Sequence, residues 1–470
     1  MPKRLIAAQL VLLVSAQFAL PASILAARAL RAPASYQVQV RRRVAPGLTH
    51  IRMVRSRGPR QVVHVAKVAP GSNLTVQPVP SRGNLGKSGP SLERTSTLCR
   101  RVHCLAAING DFFRHGQPVG GLILDGKVVK APRNDWVQAA FDGDRGLVAR
   151  RLRIRASLVT TDLKRMRITR VDRENRRQLS LFTRASGRRT PKGRGVAAVL
   201  RVVKPRGSLR VGQTSIVRLK HVFRGGKRVR IPARGAVLAG RGSGAARIER
   251  LASAMRSGAI SRQVLLRLES NPKAWDAVGG RPVIVRNGRS VVGRRGGAFA
   301  RGRHPRTLLG RTRDGSILMA TVDGRQPGRS GMSLAEAARL MVRLGADEAI
   351  NLDGGGSTTF VLRGRVRNKP SDGRERPVAV ALALVRKDHG VAAPRVPQLS
   401  RLHLARVRPT PAPRPGRLVQ TLEPGVAPAG SVGNTARAPA GSTPVTAVIA
   451  AVLIFVTGVR FAARLFWRRR

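Results

Sequence analysis

Carboxylates are scarce in this sequence. Its 470 residues hold 22 Asp and Glu against 90 Lys and Arg, for a formal net charge of +68. A surface of that sign attracts polyanions such as nucleic acid, anionic lipid or acidic cell-envelope polymers. A GC-rich coding sequence that writes Arg at every permitted surface position gives the same balance. Aromatic residues are also rare, at 3%. With no basic-plus-aromatic stacking pattern, zinc-finger spacing or basic zipper, nucleic acid is a weak candidate partner. HExxH, GxSxG and clusters of His with Cys are all missing, so zinc and serine hydrolase readings are poor. No cofactor and no metal is expected. There are two cysteines, Cys99 and Cys104. In an exported chain an even count fits one disulfide bridge, with two buried thiols as the alternative.

Hydrophobic residues make up 42% of the chain, which supports a sizeable core. The two ends read as targeting and anchoring segments. Lys3 and Arg4 precede a mostly apolar run over 5–20, and Ala27-Arg28-Ala29 offers a small-x-small cleavage site, so residues 1–29 read as a signal peptide. Residues 30–47 read as a linker with the charge run Arg41-Arg42-Arg43. Residues 48–387 carry nearly all the motifs. Residues 388–443, rich in Pro and Ala, read as a stalk. The apolar run over 444–467 reads as a transmembrane anchor, and Arg468-Arg469-Arg470 as a basic cytoplasmic tail. The expected localisation is the extracellular face of the cell membrane, single-pass, with the C-terminus inside.

Within residues 48–387, short apolar runs flank tight turns. Asp125-Gly126, Asn287-Gly288 and Asp314-Gly315 each sit between two strand-like segments. One helix is clear. Ser333-Leu334-Ala335-Glu336 is a capping box, Leu334, Ala337, Ala338, Met341 and Val342 share a face, and Gly345 is placed to stop it. A second helix is expected over 91–101, before the apolar run Cys104-Leu105-Ala106-Ala107-Ile108. The expected fold class is α+β: mixed, largely antiparallel sheets with packed helices in one large domain.

The segment that points hardest to chemistry is Asn351-Leu352-Asp353-Gly354-Gly355-Gly356-Ser357-Thr358. A strand delivers Asn351 and Asp353 two residues apart, on one face. Three glycines let the backbone approach a ligand closely. Consecutive N–H groups there make an anion nest, and Ser357 and Thr358 add hydroxyl donors. No Gly-Lys-Ser/Thr follows, so this is not a Walker loop. A carboxylate beside an anion cradle suits a substrate with both a reacting carbon and a phosphate. Asn109-Gly110-Asp111-Phe112-Phe113 repeats the pattern of a strand ending in Asn and Asp. His304-Pro305-Arg306-Thr307 offers an arginine able to hold phosphate bidentately, and Val322-Asp323-Gly324-Arg325 another acid at a strand end. Four such strand ends suggest one edge where they converge.

Taken in order, these motifs resemble the phosphodiester glycosidase family, together with Asp276-Ala277-Val278-Gly279-Gly280 and Pro370-Ser371-Asp372-Gly373 with Arg376-Pro377-Val378. The resemblance covers roughly residues 48–387. It implies hydrolysis of a sugar-1-phosphodiester between the anomeric carbon and oxygen, within a phosphorylated glycan or envelope glycopolymer. Asp353 is then the expected catalytic carboxylate, with Asp111 and Asp323 able to exchange roles with it. Arg306, Thr307 and the amides of Gly354, Gly355 and Gly356 would hold the phosphate, with Ser357 and Thr358 beside them, while Asn109 and Asn351 orient sugar hydroxyls or the carboxylate. The competing reading is a non-catalytic envelope protein that binds anionic glycopolymer.

Overall fold

Short runs that alternate about Asp-Gly and Asn-Gly turns fold as antiparallel hairpins. In the computed structural model, which describes residues 35–387 except 56, 84–91, 143–145, 175–177, 194, 227 and 294–296, all three expected hairpins form. Leu124 pairs with Lys127, Arg286 with Arg289, and Arg311 with Ile317. Asp125 and Gly126 both take positive φ (52° and 72°), as do Asn287 and Gly288 (50° and 70°). That is the backbone a two-residue turn needs to match strand twist.

The expected α+β class is overturned, because the molecule is mostly β. Among the described residues the α-helices are Thr95–Arg101, Ser243–Arg256, Ala298–Arg301 and Leu334–Arg343, set against strands along the whole length. The reason lies in the apolar runs. Many are short, contiguous and buried on both faces, as in Gln61–Val68 and Val380–Arg386, and turn signals interrupt the chain too often for longer helices. Leu334–Arg343 is the helix expected from its capping box. Ser333 Oγ accepts from the Glu336 amide, the Ser333 amide donates back to Glu336, and Gly345 closes the helix at φ 85°.

Three sheets share one core. The first runs in space as Tyr36–Ala45, Leu48–Arg55, Gln61–Val68, Ile317–Val322, Arg306–Thr312, Ala346–Asn351, Val283–Arg286 and Arg289–Ser290. Its neighbours Leu308 and Leu309 point to opposite faces. Leu308 packs with Leu334, Ala337 and Met341 of the capped helix. Leu309 joins Ile350, Ile108, Phe360, Val380 and Leu382 on the other side. Ile108, Phe360, Val380 and Leu382 come from the second sheet, ordered Arg365–Val366, Phe360–Leu362, Ala106–Asn109, Val380–Arg386 and Leu74–Pro80. The third sheet adds Leu122, Ala139 and Val278 to the same core, in the order Leu147–Arg150, Val137–Phe141, Asp276–Gly280, Leu122–Leu124, Lys127–Lys130.

A fourth sheet, of eight strands, is built from one excursion of the chain. It opens at Arg153–Val159 and closes at Gln263–Asn271, and Arg153 pairs directly with Asn271. Ile248, Leu251 and Met255 of helix Ser243–Arg256 lie in its core, together with Ile123, Val128, Ala140 and Ala277 from the third sheet.

Residues 36–45, expected to end a linker, form a strand paired with Leu48–Arg55. The expectation of a single-pass membrane protein is also corrected. Among the described residues no helix is long and apolar enough to cross a membrane, the longest being the 14 residues of Ser243–Arg256 against the ~20 a span needs. The segments read as signal, stalk, anchor and tail (1–29, 388–443, 444–467 and 468–470) lie outside the described residues. Cys99 and Cys104 are joined in a disulfide that ties the end of helix Thr95–Arg101 to the entry of strand Ala106–Asn109.

Candidate active site

Strand Ala346–Asn351 of the first sheet and strand Ala106–Asn109 of the second end side by side, and their loops are sewn together. The Asn109 side-chain amide donates to the Asp353 carbonyl at 2.7 Å, and the Asp353 amide donates to the Gly110 carbonyl at 3.0 Å. Asn109 Oδ1 accepts from the Thr307 hydroxyl at 2.7 Å and the Thr359 amide at 3.2 Å. Thr307 Oγ1 also reaches Thr358 at 3.5 Å. Asn109, Thr307 and Thr358 are buried and bonded to one another and to the loop backbone, so they build the platform. Asn351 is also buried, its amide donating to the carbonyls of Arg281 and Leu352, while its Oδ1 has no protein donor.

On that platform stand two carboxylates. Asp111 is 1% exposed and accepts from the Gly120 amide at 2.6 Å and the Trp136 indole at 3.1 Å. Burial pushes its pKa up to about 7; the two hydrogen bonds oppose the shift and the Asp353 charge adds to it. Gly279 and Gly120 close over it, and a Cβ on either would meet the Asp111 carboxylate, so only glycine fits there. Asp353 keeps partial exposure. Burial pushes it up to about 6, against the nearby Ser357 hydroxyl, the Gly354 amide bond at 3.0 Å and the Arg376 charge. Two neighbouring acids with pKa values raised by burial are the usual raw material of acid–base chemistry.

The third expected carboxylate, Asp323, is engaged by partners of its own. Asp323 accepts from the Lys369 amide and from Arg329 Nε at 3.2 Å, and burial raises its pKa. It anchors the segment after strand Arg365–Val366.

Two further expectations change. Arg306 is 1% exposed. Its Nε donates to Met332 O at 2.9 Å, and its Nη2 to Phe299 O and Gly302 O at 2.8 and 2.9 Å. Its Cζ lies 4.8 Å from the centre of the Phe299 ring. Those bonds consume the fork a bidentate phosphate clamp needs, so Arg306 is a structural strut. The three glycines do not form the expected open nest either. The Gly354 amide is turned to Asp353's own carboxylate and the Gly355 amide to Pro305 O at 3.0 Å, while Gly355–Ser357 forms a 3-10 turn. What the glycines provide is room. A Cβ at Gly355 would sit 3.0 Å from Arg325 Nη1, and one at Gly356 would collide with Arg376 and Asp372.

Arg325 and Arg376 are thus the cations packed against the loop. Both are exposed; Arg325 also bonds His304 at 2.9 Å and Arg376 pairs with Asp372. Neither was on the expected site, although each belongs to a motif that carries the family resemblance. Trp136 was missed as well. It lies 25 residues from Asp111 in sequence, holds that carboxylate, is capped by Arg281 at 4.7 Å and meets Phe112 edge-on at 5.8 Å. Being one of three tryptophans was its only signal. Phe112 and Phe299 continue the aromatic wall at 6.1 Å. Among the described residues there is no cluster of three metal-ligating side chains.

Residues 219–385 match the model of a family described as phosphodiester glycosidase. A 67-residue stretch, 14% of this chain, is 45% identical to N-acetylglucosamine-1-phosphodiester alpha-N-acetylglucosaminidase of Bos taurus, of which it covers 12%. The Homo sapiens protein is 43% identical over 67 residues, 14% of this chain and 13% of that protein. An 82-residue stretch is 38% identical to the SPbeta prophage-derived uncharacterized protein YomE of Bacillus subtilis, covering 17% of this chain and 13% of that one. The chain therefore spans about an eighth of the curated relatives it matches. A crystal structure of a hypothetical protein from Synechocystis shares the fold, with TM-score 0.52 and 19% identity over 74% of this chain and 63% of that one.

Proposed function

We propose, for a chain whose residues 219–385 belong to the phosphodiester glycosidase family, that its substrate is a sugar-1-phosphodiester cut at the anomeric carbon. The observation that carries this is the pairing of Asp111 with Asp353, both shifted upward by burial, beside the exposed guanidinium groups of Arg325 and Arg376.

Asp353, the more exposed of the two and the one bonded by the Gly354 amide and near the Arg376 charge, takes the role of the ionised partner. It activates water, or attacks the anomeric carbon itself to give a glycosyl ester that water then hydrolyses. The bond from that carbon to the bridging oxygen breaks, and its electron pair stays on the phosphate oxygen. A phosphate monoester is a good leaving group and needs little protonation. Asp111, close to half protonated near pH 7, supplies the proton that is needed. Arg325 and Arg376 meet the charge that gathers on the phosphate. Phe112, Phe299 and Trp136 form a wall against which a sugar ring can stack.

The likeness to enzymes acting on phosphodiester-linked N-acetylglucosamine favours an amino sugar or related hexose on a larger carrier. The disulfide between Cys99 and Cys104 and the signal-like N-terminus favour a carrier outside the cytoplasm, such as an envelope or exopolysaccharide glycopolymer. Release of free sugar from a synthetic sugar-1-phosphodiester by the purified protein tests the reaction. Asp353→Asn is expected to reduce release by at least about a thousandfold and Asp111→Asn by about a hundredfold. Full activity in Asp353→Asn would overturn the assignment.

A further inference from the structure

The fourth sheet carries a feature the reaction does not use. From residue 175 to residue 248 the chain contains no Asp or Glu in 74 consecutive residues, yet 20 Lys and Arg. These residues do not fold into an evenly basic shell. Two adjoining hollows lie on this part of the molecule and share Arg184 and Arg230. One is completed by Arg188 and Arg189, the other by Arg201 and Lys220. Among the described residues none of these six is paired with a carboxylate. Elsewhere in the same sheet Arg224, Arg241 and Arg267 do have acidic partners, Glu249, Glu174 and Glu269. The Nε of Arg184, where the hollows meet, is buried with no protein acceptor. A buried donor of that kind calls for an acceptor from outside.

We propose that this track is an exosite that binds the phosphodiester backbone of a linear glycopolymer and holds it while the active site works on one linkage. The proposal rests on the sugar-phosphodiester reading of the active site. Its chemistry follows from the lining. Six clustered cations with no carboxylate in their lining suit a ligand carrying regularly repeated charge. The hollows contain no Phe, Tyr or Trp and His221 is their single aromatic ring, so a run of stacked bases finds little platform, which disfavours single-stranded nucleic acid. A recessed track also receives a chain better than the plane of a bilayer.

The test uses the full chain with Arg184, Arg188, Arg189 and Arg230 all changed to Gln. A control has Arg153, Arg155, Arg286 and Arg289 changed to Gln, removing the same charge from other exposed positions. Binding of fluorescent poly(glycerol phosphate) teichoic acid is measured by anisotropy at several salt concentrations. In parallel, sugar release from a small sugar-1-phosphodiester is followed. The track variant is expected to bind polymer at least about tenfold more weakly, with a shallower salt dependence, while its turnover of the small diester is unchanged. The control is expected to bind within about twofold of the parent. The proposal is overturned if the track variant binds as the parent does, or if the control loses as much. It is equally overturned if single-stranded DNA or anionic vesicles bind the parent more tightly than the polymer does. If no variant, nor the parent, hydrolyses the small diester, the enzymatic reading fails, whereas the binding arm still decides the exosite.

Discussion

The side-chain amide of Asn109 holds the main-chain carbonyl of Asp353, and the Asp353 amide holds the carbonyl of Gly110 in return. Two sheets thereby fix one carboxylate. Asn109→Ala leaves the Thr307 hydroxyl, the Thr359 amide and the Asp353 carbonyl without their partner. Loss of about 3 kcal/mol in unfolding free energy is expected, measured by urea titration. The variant that still folds should show a lower kcat, because Asp353 is no longer positioned. Unchanged stability would show that the bridge is decorative.

The rate of sugar release should depend on pH as a bell, with apparent limbs near 6 and 7 that belong to the Asp111 and Asp353 pair. Trp136→Phe removes the indole donor that favours ionised Asp111. The alkaline limb should then move upward, with kcat near the optimum changed less than tenfold. A limb that stays in place or moves down contradicts the assignment of Asp111 as the acid.

Asp111 also destabilises the fold. Its unfolded carboxyl ionises near 3.8 and the folded one near 7, so stability falls as pH rises between those values and is flat above. Asp111→Asn should therefore be more stable than the parent at pH 8, by at most about 4 kcal/mol, and level with it at pH 4. Thermal melts at the two pH values read this directly. A variant less stable than the parent at pH 8 would remove the argument.

His50 and His64 present the opposite sign. Their rings stack at 5.5 Å, with a 3.2 Å nitrogen contact, against Phe360. Burial first, and nearby arginines after it, lower His50 to about 4; burial and then the His50 charge lower His64 to about 3. Both are neutral in the fold, so the unfolded chain takes up protons below pH 6.5 that the native one does not. Each should remove about 1.4 kcal/mol per pH unit between roughly pH 6 and 4.5. The double variant His50→Leu, His64→Leu should have a flatter stability profile over that interval, read by denaturant titration. Identical slopes would argue against neutral buried histidines.

Arg306 and Arg376 separate strut from ligand contact. Arg306→Lys breaks bonds to three carbonyls and the stack on Phe299, and should cost about 3 kcal/mol of stability. Arg376→Ala should leave the melting curve within about 2 °C and raise KM for the diester about tenfold or more. The reverse pattern would return Arg306 to the phosphate.

Much of this arrangement was legible in the sequence. The Gly-rich loop, the Asn109 turn, the capping box and the hairpins all depend on neighbours within a few residues, where side-chain type fixes backbone conformation. What escaped depends on distance. Arg306 follows a Pro at a strand entrance in an arginine-rich chain, and nothing local distinguishes a buried strut from a surface clamp. The glycine amides could be counted but not aimed, since the Pro305 carbonyl that captures one of them arrives from another strand. Trp136 reaches Asp111 only after the third sheet folds over the second. Helix Ser243–Arg256 begins at Gly242 with no side-chain cap, so its start signal was missing, although Ile248, Leu251, Ala252 and Met255 carry the helical period. The balance of helix to strand was misjudged because two well-marked helices outweighed many weakly marked strands.

The direct pairing of Arg153 with Asn271 means that the chain leaves the common core and re-enters it at nearly one point. Everything between those residues is a cassette whose two chain ends lie together and whose core runs on into the third sheet through Ile123, Val128, Ala140 and Ala277. Insertions in its loops, away from that shared core, need not disturb the seam between Asn109 and Asp353. If the proposed exosite holds, polymer contacts can change in the excursion while the proposed bond cleavage stays with the core.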